Sequence, residues 1–210
     1  MAWVTVPCPE TGTVQPPATV YLGGMTQTTP GQLISVVGVV GDEVVYNGGF
    51  IGGVWTTDLT GTPRRIPGLV QANRVGADQG LVVGRTDSDG PSVVAKISSG
   101  QILWSTRVWE LGEVSPDGRS VLGVQYGRSG VMAWAVFDAR TGELQHHFAL
   151  PAGFYVVETE WEDNRHVLMV AVQGRSTAII RADLDGTITR ATPTVRAPAH
   201  AAGFVLSERP

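Results

Sequence analysis

Apolar residues along this chain come in short runs separated by polar turn residues, and this pattern predicts strands. The runs are rich in β-branched and aromatic residues and are bounded by Gly, Asp or Asn, which is typical of strands joined by tight turns. No stretch of about a dozen residues keeps a helical apolar stripe without an interrupting Gly or Pro. We therefore expect an all-β protein. The four clearest runs are Glu43–Tyr46, Leu81–Gly84, Val121–Tyr126 and Val167–Val172.

Two series of turn residues repeat in phase with these runs. An aspartate precedes each run, and the intervals between these aspartates are 36, 39 and 46 residues. A glycine closes a second turn in each repeat. Asp and Gly favour tight turns because the short side chain bonds the nearby backbone and Gly accepts positive φ. The two series are Asp42, Asp78, Asp117 and Asp163, and Gly61, Gly100, Gly142 and Gly186.

The repeat of roughly forty residues has room for four strands. Four antiparallel strands per repeat form the blade of a β-propeller, whereas an immunoglobulin-like sandwich, the alternative, does not explain a four-strand period. We predict a single domain over residues 1–210, an all-β propeller of about 4.5 four-stranded antiparallel blades. The predicted units are 33–68, 69–106, 107–150 and 151–195.

The two ends of the chain predict a partial blade. Residues 2–28 occupy the phase of a second, third and fourth strand, so the innermost strand is missing there. Residues 202–207 fall where the next innermost strand belongs, and pairing with the amino-terminal strands would close a five-bladed ring and hide two strand edges. The alternative is a truncated piece of a larger, membrane-anchored extracytoplasmic propeller protein.

Two segments of the third unit resemble TolB-like and WD-repeat-like propeller repeats. Ser115-Pro116-Asp117-Gly118-Arg119 looks like the Ser-Pro-Asp-Gly-Arg/Lys hairpin of TolB-like repeats, and Asp138 to Gly142 resembles their Asp-x-x-Thr-Gly turn. The fourth unit is a recognisable relative, and the first two units match weakly. The resemblance implies a β-propeller fold. In that family the motif marks structure and implies no common activity.

Charge and hydropathy exclude some partners. The chain has 15 basic and 19 acidic residues, a net charge of −4, and no basic stripe, so nucleic acid is not an expected partner. No run reaches the roughly eighteen apolar residues of a spanning helix, and Met1–Pro7 lacks the features of a signal peptide. We expect no membrane insertion within this chain, and the compartment stays open.

Carboxylates on one predicted strand are the strongest candidates for chemistry. Glu158, Glu160 and Glu162 alternate, which would place them on one strand face about 7 Å apart, a spacing compatible with acid/base chemistry. Glu110 and Glu113 occupy the equivalent strand of the third unit. A solvated strand end is the favoured explanation of the acidic residues, and the first unit has only valines there. A hydrolase or lyase that uses channel-facing carboxylates is therefore the alternative function.

No metal or cofactor site is expected. Asp87–Gly90 and Asp183–Gly186 lack the third ligand and the closing glutamate of a calcium loop. Neighbours such as His146 and His147 point to opposite strand faces. Gly127–Gly130 is a poor match to a nucleophile elbow. The remaining candidate ligands are isolated in the sequence: Cys8, His166 and His200.

These observations favour a non-enzymatic binding or scaffold module. Five of the six tryptophans fall on predicted strands, where they would pack between blades or stack on a ligand. The expected partner is a protein, a peptide or a glycan.

Overall fold

The computed structural model describes residues 2–5, 18–29, 34–49, 51–127, 130–149, 153–196, 204 and 206. The chain forms two compact units, Met1–Arg107 and Val108–Pro210. From here on, the first unit and the second unit are these two parts of the chain and not the forty-residue repeats. Apart from the one-turn 3₁₀ helix Ala77–Gln79, the regular elements of the described residues are strands. This confirms the predicted all-β class.

The first unit contains three antiparallel sheets, each with strands in consecutive order. A three-stranded sheet comprises β1 (Ala2–Thr5), β2 (Thr19–Leu22) and β3 (Met25–Thr28). The next sheet comprises β4 (Ser35–Val40), β5 (Glu43–Asn47), β6 (Val54–Thr57) and β7 (Arg64–Ile66). The third comprises β8 (Gln71–Gly76), β9 (Leu81–Arg85), β10 (Ser92–Lys96) and β11 (Ile102–Thr106).

The second unit contains two further antiparallel sheets. One comprises β12 (Glu110–Val114), β13 (Ser120–Gly127), β14 (Gly130–Asp138) and β15 (Leu144–Ala149). The other comprises β16 (Phe154–Trp161), β17 (His166–Gln173), β18 (Ser176–Asp183) and β19 (Ile188–Arg190), with β20 (Val195–Arg196) beside β18. The four-stranded antiparallel organisation confirms the predicted fold class.

The predicted aspartate turns form through side-chain bonds to nearby backbone. Asp138 accepts from the amides of Arg140 and Thr141 at 2.9 and 2.8 Å, and Gly142 completes the turn with a φ of 72°. In the Ser115–Arg119 motif, the Ser115 hydroxyl donates to Asp117 at 2.7 Å and accepts from the amide of Ser120 at 2.9 Å. Short polar side chains thus replace the backbone partners that these reversals remove.

Apolar faces of consecutive sheets pack together within each unit. In the first unit the buried cluster joins the second and third sheets through aliphatic residues such as Val45, Ile66 and Val82. In the second unit Trp134 and Phe148 pack with Trp161 and Met169. The indole of Trp161 also donates to the carbonyl of Glu113 at 3.3 Å.

The first strand of every four-stranded sheet carries a register shift. The shifts lie between Val36 and Gly38, Ala72 and Arg74, Leu111 and Val114, and Val156 and Glu158. A bulge of this kind places an extra residue opposite the neighbouring strand and changes which face the following side chains occupy. The pattern of apolar and polar residues does not predict these shifts.

The predicted completion of the partial blade remains open. The three-stranded sheet has no fourth strand among the described residues. Most of the segment 202–207 lies outside the described residues, and Phe204 and Leu206 are not part of a strand. Leu206 is buried, and its amide donates to Glu158 Oε2 at 2.9 Å.

Candidate binding site

A polar cavity of about 340 Å³ lies where β4 and β8 begin and β5 ends. All three strands belong to the first unit. The cavity walls are formed mainly by β4 and β8, which are the first strands of the second and third sheets. We call it the β4/β8 cavity. Its lining residues are Ser35, Val36, Val37, Asn47, Gln71, Ala72, Asn73 and Arg74.

The side chain of Asn47 ties the two sheets together at the cavity wall. Its Nδ2 donates to the carbonyl of Ala72 at 2.9 Å, and its Oδ1 accepts from the amide of Ala72 at 2.7 Å. The carboxamide therefore bonds both backbone groups of Ala72, as the paired residue of a neighbouring strand would. Nδ2 also lies 3.3 Å from the hydroxyl of Ser35, to which it donates. These bonds hold the strand ends in one arrangement.

Arg74 is the one charged residue among the eight that line the cavity. It is exposed, and its guanidinium donates to the carbonyl of Asn73 at 3.0 Å. The carboxamides of Gln71 and Asn73 add hydrogen-bonding groups. The lining contains no acidic side chain and no histidine, cysteine or lysine. The Ser35 hydroxyl therefore has no general base in the lining that could activate it as a nucleophile. The chemistry suits binding of an anionic, hydrogen-bonding group.

The predicted carboxylates of β16 occupy the face opposite to the packed core. Val156 lies opposite Ala171, but after the register shift Glu158 lies opposite Val170 and Glu160 opposite Leu168. Since neighbours on β17 point to opposite faces, Val156 and Glu158 do so too. Val157, at the shift, is half exposed. The backbone amide of Leu206 donates a hydrogen bond to the carboxylate of Glu158.

Glu162 lies one residue beyond the end of β16. The strand ends at Trp161, and the Glu162 carboxylate forms a close ion pair with the guanidinium of Arg181. Arg181 and Glu160 both lie opposite Leu168, so the partner of Glu162 is on the face of Glu160. That the three carboxylates share one face stays a prediction.

The other two candidate carboxylates lie on β12. Glu110 is exposed and lies opposite Val124, whereas Glu113 is half-buried within the register shift. The structure thus places Glu110 and Glu113 on one strand and Glu158 and Glu160 on another, both in the second unit. A catalytic role for any of the four stays a prediction.

His166 is not isolated in the structure. Its Nδ1 lies 2.8 Å from Asp163 Oδ2, and its Nε2 lies 3.0 Å from Asp183 Oδ2. Asp183 also accepts from Arg165 at 3.1 Å. The histidine thus bridges the turn after β16 and the end of β18. The sequence signal was the three-residue spacing from Asp163, but Asp183 meets His166 only through strand pairing.

One group in the described residues has the ligand spacing of a metal site. Ligand atoms of Glu162, Asp163 and His166 lie within 4.8 Å of one another. These groups already bond protein partners: Glu162 pairs with Arg181, and both ring nitrogens of His166 face aspartates. The donor set is therefore already engaged in contacts within the protein, and the expectation that there is no metal site stays a prediction.

Acid is expected to weaken this network through Asp163. The hydrogen bond from His166 and the amides of Arg165 and His166 lower the pKa of Asp163 from 3.8 to about 2. Because the folded state holds this carboxylate ionised, its stabilisation is complete above about pH 4 and is lost as pH falls through 2. Denaturant unfolding between pH 6 and 2 should show Asp163→Asn less stable than the parent at pH 6. The difference should vanish near pH 2, and a difference that stayed constant would contradict the assignment.

The remaining sequence candidates have structural surroundings or lie outside the described residues. His146 stacks on Phe148 and His147 contacts Trp109 edge-on, which confirms that they point to opposite faces. Asp87–Gly90 closes as a turn, with the Gly90 amide 3.1 Å from the Asp87 carbonyl. Outside the described residues lie Cys8, Arg128, Ser129 and His200. Within the described part of the chain, no helix is long and apolar enough to span a bilayer.

Comparisons with known proteins identify the architecture. No family model and no curated protein matches the chain. The β-propeller domain of Myceliophteria thermophila Cps50 (Swd1) superposes with a TM-score of 0.57 at 10% identity, over 87% of this chain and 66% of that one. Kluyvelomyces marxianus Hsv2 gives 0.52 at 14% identity, over 86% and 68%. Pyrococcus horikoshii acylaminoacyl peptidase gives 0.55 at 13% identity, over 77% and 32%.

This chain therefore spans about two thirds of the length of the Swd1 domain and about one third of the peptidase. At these identities the likeness concerns the fold, and the consecutive four-stranded antiparallel sheets agree with it. The chain has a β-propeller fold, with three four-stranded blades, a fourth blade in which β20 joins four consecutive strands, and a three-stranded partial blade in its described residues.

Proposed function

We propose that this chain is a non-enzymatic propeller module that binds a partner protein by an acidic peptide segment. An acidic side chain of the partner occupies the β4/β8 cavity. The observation that carries this proposal is the cavity lining, in which one arginine stands among carboxamides and no carboxylate is present. The close relationship to TolB-like repeats, suggested by Ser115–Arg119, is part of the same proposal.

The guanidinium of Arg74 supplies the charge recognition. Arginine bonds carboxylates through a planar fork of donors, and such charge-assisted bonds are about twice as strong as neutral ones. Gln71 and Asn73 can donate to the remaining lone pairs of a bound carboxylate. The whole chain carries a net charge of −4, which repels acidic peptides in general. Binding of such a peptide therefore depends on a local site.

Rigidity of the cavity walls supports binding over flexible surface contact. The walls are strands, and Asn47 locks the start of β8 to the end of β5 with two short hydrogen bonds. A preorganised site pays less ordering entropy when its ligand arrives. The cavity holds only a short part of a partner, so the surrounding strand ends supply the rest of the interface.

Calorimetric titration with an acetylated and amidated hexaglutamate peptide tests this function. We expect Arg74→Gln to weaken binding by about 10- to 100-fold, the range given by losing charge-assisted hydrogen bonds worth roughly 1.5–3 kcal/mol. Arg74→Lys should retain part of the affinity because it keeps the charge and loses the fork.

Arg175→Gln is the matched control, because Arg175 is an exposed turn arginine in the second unit. Its affinity should equal that of the parent protein, and hexaglutamine should bind none of the four proteins. Equal affinities of the parent and Arg74→Gln proteins would overturn the proposal, as would equal binding of hexaglutamine.

A further inference from the structure

One face of the three-stranded sheet carries only threonines and aromatic residues. Strand pairing sets them in two rows across β1, β2 and β3, because Trp3 lies opposite Tyr21 and Tyr21 opposite Thr26, while Thr19 lies between Thr5 and Thr28. Adjacent strands lie about 4.8 Å apart, so each row spans roughly 10 Å. We call this the Trp/Thr face. Its members are Trp3, Thr5, Thr19, Tyr21, Thr26 and Thr28.

The two aromatic rings form a partly open stack. Their centroids lie 5.3 Å apart with an interplanar angle of 4°, so each ring covers one face of the other. Trp3 is nevertheless 49% exposed, so about half of its surface is accessible to solvent. The hydroxyl of Thr5 donates to the phenol oxygen of Tyr21 at 3.3 Å and joins the ring pair to the hydroxyl row.

The composition of this face differs from that of the faces that pack between sheets in the first unit. The opposite face of the same sheet presents Val4, Val20 and Leu22 to a buried cluster. The cluster between the second and third sheets is likewise aliphatic. A dry interface would have to bury four threonine hydroxyls, and each one left without a partner destabilises such an interface. The Trp/Thr face is therefore suited to a hydrated ligand.

We infer that the Trp/Thr face binds a neutral carbohydrate chain. A pyranose ring has a C–H face, which stacks on an aromatic ring, and a rim of hydroxyls, which exchange hydrogen bonds with threonine hydroxyls acting as both donor and acceptor. None of the six residues carries charge, so the charge complement is an uncharged ligand. An acidic polysaccharide or a charged peptide would find no counter-charge on this face.

This binding site uses none of the residues of the β4/β8 cavity and does not rest on the proposed peptide recognition. A three-stranded surface that spans about 10 Å accommodates a linear oligosaccharide lying across the strands. The exposed ring of Trp3 should supply the largest contact because aromatic surface is the largest apolar area on the face.

Titration with cellohexaose, maltohexaose and mannohexaose tests the inference, with calorimetry and saturation-transfer NMR as readouts. We expect at least one of these sugars to bind with a Kd below 1 mM, roughly −4 kcal/mol. Trp3→Ala should weaken that binding at least tenfold, and Thr26→Val, which removes one hydroxyl at nearly constant volume, should weaken it several-fold. Trp3→Phe should retain part of the affinity.

Tyr126→Ala is the control, because Tyr126 is a 59% exposed aromatic residue of the second unit. It should bind the sugar as the parent does, and Trp3→Ala should keep the hexaglutamate affinity of the parent. Circular dichroism reports whether each variant folds, and Thr26→Val replaces Trp3→Ala if the latter does not. Absence of binding by all three sugars would overturn the inference, as would binding that is unchanged in Trp3→Ala and Thr26→Val or a preference for a protein ligand on this face.

Discussion

Replacement of Gly84 by alanine is expected to destabilise the first unit by about 2–4 kcal/mol. Gly84 lies on β9 opposite Ala72 of β8. A Cβ atom at this position would lie 2.2 Å from the carbonyl oxygen of Gln71 and 3.2 Å from the Cα of Ala72. Both obstacles are backbone atoms, so relief requires β8 to move away from β9. Because β8 forms one wall of the cavity, the same movement should weaken hexaglutamate binding.

Scanning calorimetry of the Gly84→Ala protein measures this effect. A loss of 2–4 kcal/mol corresponds to a fall in Tm of about 4–16 °C for a chain of this size. Gly112→Ala is the matched control, because Gly112 is also a strand glycine, its φ is not positive, and a Cβ there meets nothing within 4 Å. The control should melt within about 2 °C of the parent or slightly above it. Equal Tm values for the two variants would show that β8 and β9 do not approach this closely.

Turns and strand identity could be predicted from the sequence because their causes are local. An aspartate accepts hydrogen bonds from amides two and three residues later, as Asp58 does from Thr60 and Gly61 at 2.9 and 3.0 Å. A neighbouring glycine supplies the positive φ, as Gly118 does at 69°. These bonds need no distant partner. Their repetition every forty residues was therefore enough to predict four-stranded antiparallel blades.

The register shifts in the first strands could not be predicted by the same reasoning. A period-two pattern assumes an uninterrupted strand, and under that assumption Val156, Glu158 and Glu160 share one face. The shift after Val156 makes Val156 a core residue and turns Glu158 and Glu160 to the other face. Which residue bulges depends on the fit of the whole strand to its neighbour, and the sequence of β16 alone does not contain that information.

The candidate binding residues were missed for a related reason. Asn47 ends a strand and reads locally as a turn residue, and Arg74 reads as one exposed charge among many. Their common cavity exists because β8 lies beside β4 and β5, although Asn47 and Ala72 are 25 residues apart in the chain. A polar residue at the end of an otherwise apolar strand was the one available signal. Such a residue is expected to have a specific hydrogen-bond partner, but its position in the sequence does not identify that partner.

Substitution of Asn47 by aspartate is expected to weaken the tie between the second and third sheets of the first unit. The carboxylate still accepts from the Ala72 amide, but it cannot donate to the Ala72 carbonyl and instead places a charged oxygen against it. Removing one partner of a bond in this half-buried place costs about 1–3 kcal/mol, and the repulsion adds to that loss. We expect Asn47→Asp to be less stable than the parent by about 2–4 kcal/mol at pH 7.

The pH dependence separates this mechanism from general disruption of the fold. The Asn47→Asp protein regains a donor when its new carboxyl is protonated, so the stability difference from the parent should shrink as pH falls from 7 to 4. Asn47→Ala loses both bonds to Ala72 at every pH, and its deficit should stay constant over that range. Denaturant unfolding of the three proteins at pH 7, 5.5 and 4 measures both trends. If the two variants had the same pH dependence, the carboxamide of Asn47 would not be donating to the Ala72 carbonyl.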